Sequence, residues 1–150
     1  GLPMLLVKHT NELTPQQLIT ILKARVAVFV VEQNCPYQEV DDDDFDDLHV
    51  ALFNDTGDLQ AYTRVMDRNT EVNFGRVLVA EQFRKAGLGR KIVQTTLDVI
   101  AERYPNKPIK IQAQAYLQQF YEDFGFQAQS DVYLEDDIPH LDMTLTPIQK

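Results

Sequence analysis

The sequence predicts an α/β (α+β) fold: a single domain over residues 1–150, with a mixed, mostly antiparallel central sheet flanked by helices. The chain has 150 residues, of which 44% are hydrophobic and 25% are charged, which is enough for one sizeable core. Short β-patterned runs alternate with segments whose apolar residues recur at helical spacing. A hairpin-type turn at 54–57 argues against a regular doubly wound parallel sheet.

The first elements are a short strand over 4–8 and an amphipathic helix. Thr14, Pro15 and Gln17 supply the N-cap, the first-turn proline and the capping-box glutamine that are typical of a helix start. The residues that follow at helical spacing form one mostly apolar stripe: Leu18, Ile21, Leu22, Arg25, Val26 and Phe29.

The middle of the chain predicts a loop, a hairpin and a further strand. The loop is the acidic run over 41–47. The β-patterned runs at 48–53 and 59–66 flank the turn and predict the hairpin. A further strand is predicted over 72–80, in which Gly75 marks a bulge or a close approach of another backbone.

The second half repeats the alternation of helices and strands. A helix is predicted over 88–104, a strand over 109–114, and a short helix over 117–124 with Gly125 as its C-cap. Two closing strands are predicted to pair with each other, at 127–134 and 141–145.

Composition and charge limit the possible functions. The formal net charge is -9 at pH 7, which argues against binding to nucleic acid or to an anionic membrane and suits a cationic acceptor. Cys35 is the single cysteine, so no intramolecular disulfide forms and a reducing compartment is expected. No apolar run has membrane-spanning length and no signal segment is recognisable, so the expected location is the cytoplasm. A homodimer is left open.

The most informative motif lies between the strand at 72–80 and the helix that follows it. Its sequence is Arg84-Lys85-Ala86-Gly87-Leu88-Gly89-Arg90. Two glycines at the start of a helix expose backbone N–H groups, and the helix N-terminus adds partial positive charge, so the motif predicts an anion site. A Walker-type loop is excluded because no Lys-Ser/Thr pair follows the last glycine, and a dinucleotide fingerprint because the third glycine is missing.

Two motifs together resemble the GNAT N-acetyltransferase superfamily. Arg84, Gly87 and Gly89 match its Arg/Gln-x-x-Gly-x-Gly/Ala loop for the pyrophosphate of acyl-CoA. The segment 120–126 matches its Phe/Leu-Tyr-x-x-x-Gly-Phe signature, and the element order fits nearly the whole chain. A narrower resemblance is to the ElaA-like branch. It is carried by residues 25–33, Cys35-Pro36-Tyr37, Asp41, Asp44, His49 and the stretch 133–140, in which Asp137 stands where glycine is expected.

The resemblance implies a GNAT fold whose sheet is splayed at an acyl-CoA site, with acetyl-CoA as cosubstrate and no metal. The glycine loop then holds the pyrophosphate, and the strand at 77–79 leaves its neighbour so that its main chain can pair with the pantetheine amides. The residues implied for cofactor binding are Val77, Leu78, Val79, Arg84, Lys85, Ala86, Gly87, Leu88, Gly89, Arg90, Gln114 and Tyr121.

The implied reaction is direct transfer, within a ternary complex, to a primary amine of a small molecule or peptide. Tyr121 is implied as the general acid that protonates the CoA thiolate, and a core tyrosine is the alternative. Glu32 qualifies as a general base if desolvation raises its pKa, and His49 because imidazole titrates near neutrality. The full set of base candidates, acting directly or through water, is Glu32, Glu39, His49 and His140.

Other features leave alternatives open. The acidic run at 41–47 lacks the spacing of a calcium loop and predicts a solvated loop, which either attracts a cationic amine near the acceptor entrance or only aids solubility. Arg25 is expected to pair with Glu32 or with an aspartate of that run. Cys35 has no basic neighbour in sequence, which disfavours an acyl-cysteine mechanism.

The alternative to an enzyme is a non-catalytic domain that binds acyl-CoA or senses it.

Overall fold

The structure is a computed structural model that describes residues 3–147. Its strands are β1 (Met4–His9), β2 (Leu48–Phe53), β3 (Leu59–Asp67), β4 (Val72–Val79), β5 (Ile109–Gln114), β6 (Gln127–Ala128), β7 (Tyr133–Glu135) and β8 (Ile138–Leu145). Its α-helices are α1 (Pro15–Val26), α2 (Leu88–Arg103) and α3 (Gln118–Glu122). The sheet order is β1-β2-β3-β4-β5-β8-β6, with β7 paired to β8. Only β4 and β5 run parallel within the described residues, which confirms the mixed, mostly antiparallel sheet.

Helix α1 begins as the sequence predicts. The Thr14 side chain accepts a hydrogen bond from the Gln17 N–H (3.1 Å), and the Gln17 side chain accepts one from the Thr14 N–H (2.9 Å), which completes a capping box. Beyond Val26 the helix continues as a π-helical turn over Ala27–Glu32. Such wide turns are frequent at functional sites, and this one ends at the cleft described below.

Helices α1 and α2 cover opposite faces of the sheet. Because successive residues of a strand point to opposite sides, Val50 and Ala51 of β2 belong to different buried clusters. Helix α2 contributes Ile92 and Val93 to the cluster that contains Val50. Helix α1 contributes Ile21 to the cluster that contains Ala51. The sheet is therefore the middle layer of a three-layer arrangement.

The predicted closing strand over 127–134 is wrong as a single element. Only Gln127–Ala128 and Tyr133–Glu135 are strands, and each pairs with β8. Between them, the Ser130 hydroxyl accepts the N–H of Asp142 (2.9 Å). The Asp142 carbonyl still accepts the Gln129 N–H (2.8 Å), but because a side chain satisfies the Asp142 amide, the ladder breaks after this contact. Strand β8 is also longer than predicted and begins at Ile138.

The β7–β8 hairpin turns on two aspartates. Asp136 and Asp137 both have positive φ, 49° and 63°, and the residues that flank them, Glu135 and Ile138, are paired. Two consecutive left-handed residues define a type I′ turn, whose twist matches that of the strands. Aspartate enters the left-handed region more readily than most residues, so Asp137 preserves the turn in place of the expected glycine.

Strand β4 contains a bulge, but not at Gly75 as predicted. Opposite Thr63 of β3 stand two residues of β4, Arg76 and Val77. The left-handed residue is Arg76 (φ 51°), whereas a Cβ added at Gly75 would meet nothing within 4 Å. The bulge therefore depends on contacts of the Arg76 side chain rather than on the freedom of a glycine.

The acidic run at 41–47 is only partly solvated: Asp42, Phe45 and Asp46 are exposed, as predicted for a solvated loop, but other residues of the run are held in the structure. Residues Asp42–Phe45 form a 3₁₀ turn, and Asp44 and Asp47 are only 7% and 5% exposed. Arginines pair with Asp41, Asp43 and Asp44, so these carboxylates are not free to attract an amine.

Arg25 organises this region from inside the protein. It is fully buried, and its Nε lies 3.0 Å from Glu39 Oε2 while its Nη1 and Nη2 lie 2.6 and 2.9 Å from the Asp44 carboxylate. Despite burial, which raises it, the pKa of Asp44 is lowered to about 2 by its hydrogen bonds with Arg25. Pairing of Arg25 with an aspartate of the run is confirmed, and pairing with Glu32 is not.

Two further arginines extend the same set of contacts to the sheet. Arg64 on β3 binds Asp41 through two parallel hydrogen bonds of 2.7 and 2.8 Å. Arg76, at the bulge, binds the Glu39 carboxylate and, through Nη2, the Glu39 carbonyl (2.7 Å). We call the six residues involved the arginine–carboxylate network: Arg25, Arg64, Arg76, Glu39, Asp41 and Asp44.

Replacing Arg25 with methionine is expected to lower the free energy of unfolding by about 3–5 kcal/mol, because it removes the buried cation that Glu39 and Asp44 share and leaves each of these carboxylates with a single arginine. Urea denaturation measures this loss. The control is Arg68→Met: Arg68 pairs with Asp43 at 2.8 Å, but its side chain is 43% exposed, so a loss of only about 0–1 kcal/mol is expected. Equal losses for the two variants would contradict the structural role of Arg25.

Candidate active site

A wide cleft opens where β4 and β5 separate. The two strands are paired only at Val72 with Ile109 and at Asn73 with Lys110, after which they diverge. The space between them is a cleft of about 1480 Å³ that reaches α1, α3 and the β7–β8 hairpin. This divergence confirms the splayed sheet that the resemblance implies.

The cleft brings together most of the residues implied for cofactor binding. Those that line it are Val77, Leu78, Val79, Arg84, Gly89, Gln114 and Tyr121. The other five belong to the glycine loop and the start of α2, beside the lining residues: Lys85, Ala86, Gly87, Leu88 and Arg90.

The β4 wall presents unpaired backbone groups to the cleft. The Ala80 N–H donates to the Gln60 carbonyl (2.9 Å), so these two residues form a hydrogen-bonded pair of the antiparallel ladder. In such a ladder, alternate residues direct their backbone groups to opposite sides. Leu78 therefore bonds to β3, while Val77 and Val79 direct their N–H groups toward the side from which β5 has departed.

The start of α2 is open to an anion. Gly87 is in the left-handed region (φ 76°) and provides no side-chain cap. Within residues 3–147, the N–H groups of Leu88, Gly89 and Arg90 have no hydrogen-bond acceptor. These donors and the positive end of the helix dipole form an anion-binding site at the edge of the cleft.

The arginines of the glycine loop also connect it to its surroundings. Arg90 lies over the rings of Phe120 and Phe124, at 5.7 and 5.4 Å from their centroids, which holds the start of α2 against α3. The Arg84 Nε donates to the Val79 carbonyl (3.0 Å), and its Nη2 lies 2.7 Å from Glu32 Oε2. Arg84 therefore joins the loop to β4 and to the end of the π-helical turn.

Tyr121 lies in the wall of the cleft, although it is only 5% exposed. Its ring packs against Phe74, Phe120 and Phe126 at centroid distances of 6.4, 5.1 and 5.9 Å. Burial raises the pKa of Tyr121, so the phenol keeps its proton at neutral pH. The side chain is thus both a core residue and a protonated group that faces the cleft.

Glu32 lines the cleft, but its environment is the opposite of the one expected. Its side chain is 40% exposed and pairs with Arg84 through both oxygens. Hydrogen bonding to Arg84 lowers the pKa of Glu32, whereas a general base needs a raised one. The prediction of a desolvated carboxylate with a raised pKa is therefore wrong.

His49 does not line the cleft and is completely buried. The Thr10 hydroxyl donates to the Asp44 carbonyl (2.6 Å) and therefore accepts from His49 Nε2 (2.7 Å), which leaves Nδ1 to accept from the Tyr62 hydroxyl (2.5 Å). Burial lowers the pKa of His49 to about 4. The expectation that it titrates near neutrality beside the substrate is wrong, because a buried imidazole cannot easily be charged.

The other two base candidates differ from each other. Glu39 is 3% exposed and its carboxylate is held by Arg25 and Arg76. His140 lines the cleft and stands opposite Gln114 in the β5–β8 register. Its Nδ1 lies 2.6 Å from the Ile138 carbonyl, so this nitrogen carries the proton and Nε2 keeps a free lone pair.

Sequence reasoning missed Arg64 and Arg76, which also line the cleft. Each is an arginine within a β-patterned run, and a charge inside a strand is a signal of a buried ion pair or a site. The opposite wall of the cleft, formed by β7 and β8, is acidic. Glu135, Asp136 and Asp142 line the cleft there, and the segment 111–147, which includes both strands, contains no Lys or Arg.

The acetyltransferase (GNAT) domain family matches residues 10–147. The chain belongs to the GNAT acetyltransferase family. It is 41% identical to the protein ElaA of Escherichia coli (strain K12) over 146 residues, which cover 94% of this chain and 95% of ElaA. This similarity confirms the ElaA-like branch, and acyl transfer from acyl-CoA is the general activity that membership of the family supports.

Solved structures of similar proteins show the same GNAT fold. An acyl-CoA N-acyltransferase from Pseudomonas aeruginosa has a TM-score of 0.90 at 40% identity, covering 95% of this chain and 98% of that one. The crystal structure of Escherichia coli ElaA has a TM-score of 0.89 at 41% identity, covering 94% of this chain and 98% of that one. An aminoglycoside 6'-N-acetyltransferase complexed with coenzyme A shares the fold at 13% identity, with a TM-score of 0.67 and coverage of 97% and 98%.

The described residues contain neither a helix suited to span a membrane nor a cluster suited to hold a metal ion. Between residues 3 and 147, no helix combines the length and the apolar composition that crossing a bilayer requires. In the same range, no group of three or more His, Cys, Asp or Glu side chains is arranged to hold a metal ion.

The low pKa of His49 predicts a loss of stability in mild acid. The folded value of about 4 lies below the ordinary 6.5, so the unfolded chain binds the extra proton and stability falls as pH drops from 6.5 to 4. The contribution is on the order of 3 kcal/mol. Burial raises the pKa of Asp47 to about 7, so Asp47 lowers the stability of the folded protein as pH rises from 4 to 7. This effect opposes that of His49.

His49→Gln isolates the histidine contribution, because Asp47 is common to both proteins. We expect the free energy of unfolding of the variant, measured by urea denaturation, to depend less steeply on pH between 4 and 6.5 than that of the wild type. Identical slopes would show that His49 is not held neutral in the folded protein.

Proposed function

We propose that this protein is an N-acetyltransferase that moves the acetyl group of acetyl-CoA to a primary amine of a small molecule or peptide, by direct transfer in a ternary complex. The observation that carries the proposal is the alignment of two sets of unpaired backbone donors along one cleft. One set is on β4 at Val77 and Val79, and the other is at the start of α2. The free thiol of Cys35 suits a reducing compartment such as the cytoplasm.

The donor fits this arrangement from one end to the other. In the proposed complex, the pyrophosphate accepts hydrogen bonds from the backbone amides between Lys85 and Arg90, at the positive end of α2. The pantetheine arm then runs along β4 and adds its amides to the strand edge that β5 has left. Gln114 on β5 supplies polar side-chain groups on the opposite wall. The P. aeruginosa relative, which is named an acyl-CoA N-acyltransferase, supports this donor.

The acceptor proposed is a cationic amine. The wall formed by β7 and β8 presents Glu135, Asp136 and Asp142 to the cleft without a Lys or Arg on the same wall, so an ammonium is attracted there. An amine with an ordinary lysine-like pKa must lose a proton before it attacks, which costs roughly 4–5 kcal/mol at pH 7. A group that removes this proton is therefore needed near the acidic wall.

His140 and Tyr121 are the proposed proton acceptor and donor. His140 Nε2 has a free lone pair and takes the proton of the amine, directly or through water. The neutral amine attacks the thioester carbonyl, the C–S bond breaks, and Tyr121 protonates the departing thiolate. Because burial disfavours the resulting phenolate, the second proton of the nitrogen, which is lost on attack, restores the phenol. The first proton passes from His140 to solvent, so one proton is released for each ammonium consumed.

Gly89→Asp separates anion binding from fold stability. A negatively charged aspartate in the first turn of α2 interacts favourably with the helix dipole. A Cβ at Gly89 also has room, since the nearest atom is Val79 Cγ2 at 3.9 Å. We expect the thermal midpoint to stay the same or rise, while calorimetry shows CoA affinity to fall by at least ~100-fold through repulsion of the pyrophosphate. Gly89→Asn is the uncharged control and should lose much less affinity. Unchanged CoA binding in Gly89→Asp would overturn the proposed pyrophosphate site.

Tyr121→Phe is expected to lower kcat by about 100-fold and to leave the Kd for acetyl-CoA nearly unchanged, because only the proton donor is removed. The assay measures the release of the CoA thiol across a panel of primary amines. Full turnover in this variant would eliminate the general-acid role. Acetyl-CoA binding by the wild type without thiol release from any amine of the panel would favour the non-catalytic sensor.

His140→Gln tests the base with the same assay. We expect kcat to fall by about 100-fold and the loss to be partly recovered at high pH, where the free amine no longer needs a base. A uniform loss at all pH values would point instead to a structural role for His140.

A further inference from the structure

The floor of the cleft lies where the two strands separate. Phe74 follows the last paired residue of β4, and Ile111 follows that of β5, so these side chains stand at the vertex of the splay. Both line the cleft, and both also belong to the buried cluster beneath the sheet, with Phe74 only 4% and Ile111 only 5% exposed. The vertex is therefore closed by packed hydrocarbon.

The rings of Phe74, Tyr121 and Phe126 pack against one another at the floor of the cleft. Phe74 lies 6.4 Å from Tyr121 and 6.1 Å from Phe126, and Tyr121 and Phe126 are 5.9 Å apart, between ring centroids. The Phe74–Phe126 and Tyr121–Phe126 pairs are edge-to-face, an arrangement that leaves little space between rings. Phe126 is 2% exposed and does not line the cleft, so it supports the other two from behind.

We propose that Phe74 limits the length of the acyl group and restricts the enzyme to acetyl and other very short acyl donors. This inference rests on the proposed function, in which Tyr121 reaches the sulfur of the thioester. The carbonyl carbon is bonded to that sulfur, so an acyl chain that extends toward the vertex meets the ring of Phe74 within a few carbon atoms. Close-packed interiors accept extra methylenes only by displacing side chains, and Phe74 is held on two sides.

Phe74 is thus a specificity-determining residue rather than a catalytic one. Truncating it removes the ring that faces the cleft and leaves Tyr121 and the glycine loop in place. The space released lies directly beneath the site of the acyl group, so it is available to a longer chain.

Calorimetric titration with CoA, acetyl-CoA and hexanoyl-CoA tests the proposal without knowledge of the acceptor. We expect the wild type to bind hexanoyl-CoA at least tenfold more weakly than acetyl-CoA, and Phe74→Ala to bind the two equally or to prefer hexanoyl-CoA. Phe53→Ala is the matched control, since Phe53 is buried in the other cluster and does not line the cleft. Its preference for acetyl-CoA should equal that of the wild type.

The outcomes distinguish this proposal from the proposed function. Failure of CoA itself to bind would overturn both. Binding of CoA with equal affinity for the two esters in the wild type, or equal preference in Phe74→Ala and Phe53→Ala, would overturn the role of Phe74 alone. If Phe74→Ala does not fold, Phe74→Leu with butyryl-CoA gives the same comparison, and an unchanged preference there would also contradict the proposal.

Discussion

The separation of β4 from β5 after two paired residues is the constraint on which the rest of the structure depends. It opens the cleft, frees one side of the β4 backbone and places the start of α2 beside that free edge. An unpaired strand edge inside a protein is costly unless a partner satisfies it. The open edge is therefore best explained as the binding site of a ligand with amide groups.

The arginine–carboxylate network holds the bulge of β4, which lies just beyond the point of separation. The bulge at Arg76 puts one additional residue into β4 and requires a left-handed backbone, which costs about 1–2 kcal/mol for a residue other than glycine. The contacts of Arg76 with Glu39 offset this cost, and Glu39 is in turn held by Arg25. A buried set of ion pairs contributes little net stability, but this set specifies one arrangement, because each carboxylate is shared by two arginines and removing one arginine leaves its carboxylates incompletely paired.

The parts of the fold that are encoded locally could be predicted from sequence. The capping box of α1, the glycine loop and the aromatic signature of α3 are each fixed by residues a few positions apart, and the elements that they mark are found where expected. The surroundings of Glu32 and His49 could not be predicted, because they depend on distant partners. Glu32 meets Arg84 across 52 positions, and His49 meets Thr10 across 39. For the same reason, the aspartates of the acidic run resembled a solvated loop in sequence, although arginines on α1 and β3 hold Asp41 and Asp44.

In the proposed complex, an acyl-CoA completes the open edge of β4 and the start of α2 at the same time. Hydrogen–deuterium exchange with and without acetyl-CoA tests it most directly, since amides without an acceptor exchange quickly. We expect slower exchange at Val77, Val79 and Leu88–Arg90 in the complex and little change in β1 and β2. Protection elsewhere with unchanged exchange at these amides would contradict it.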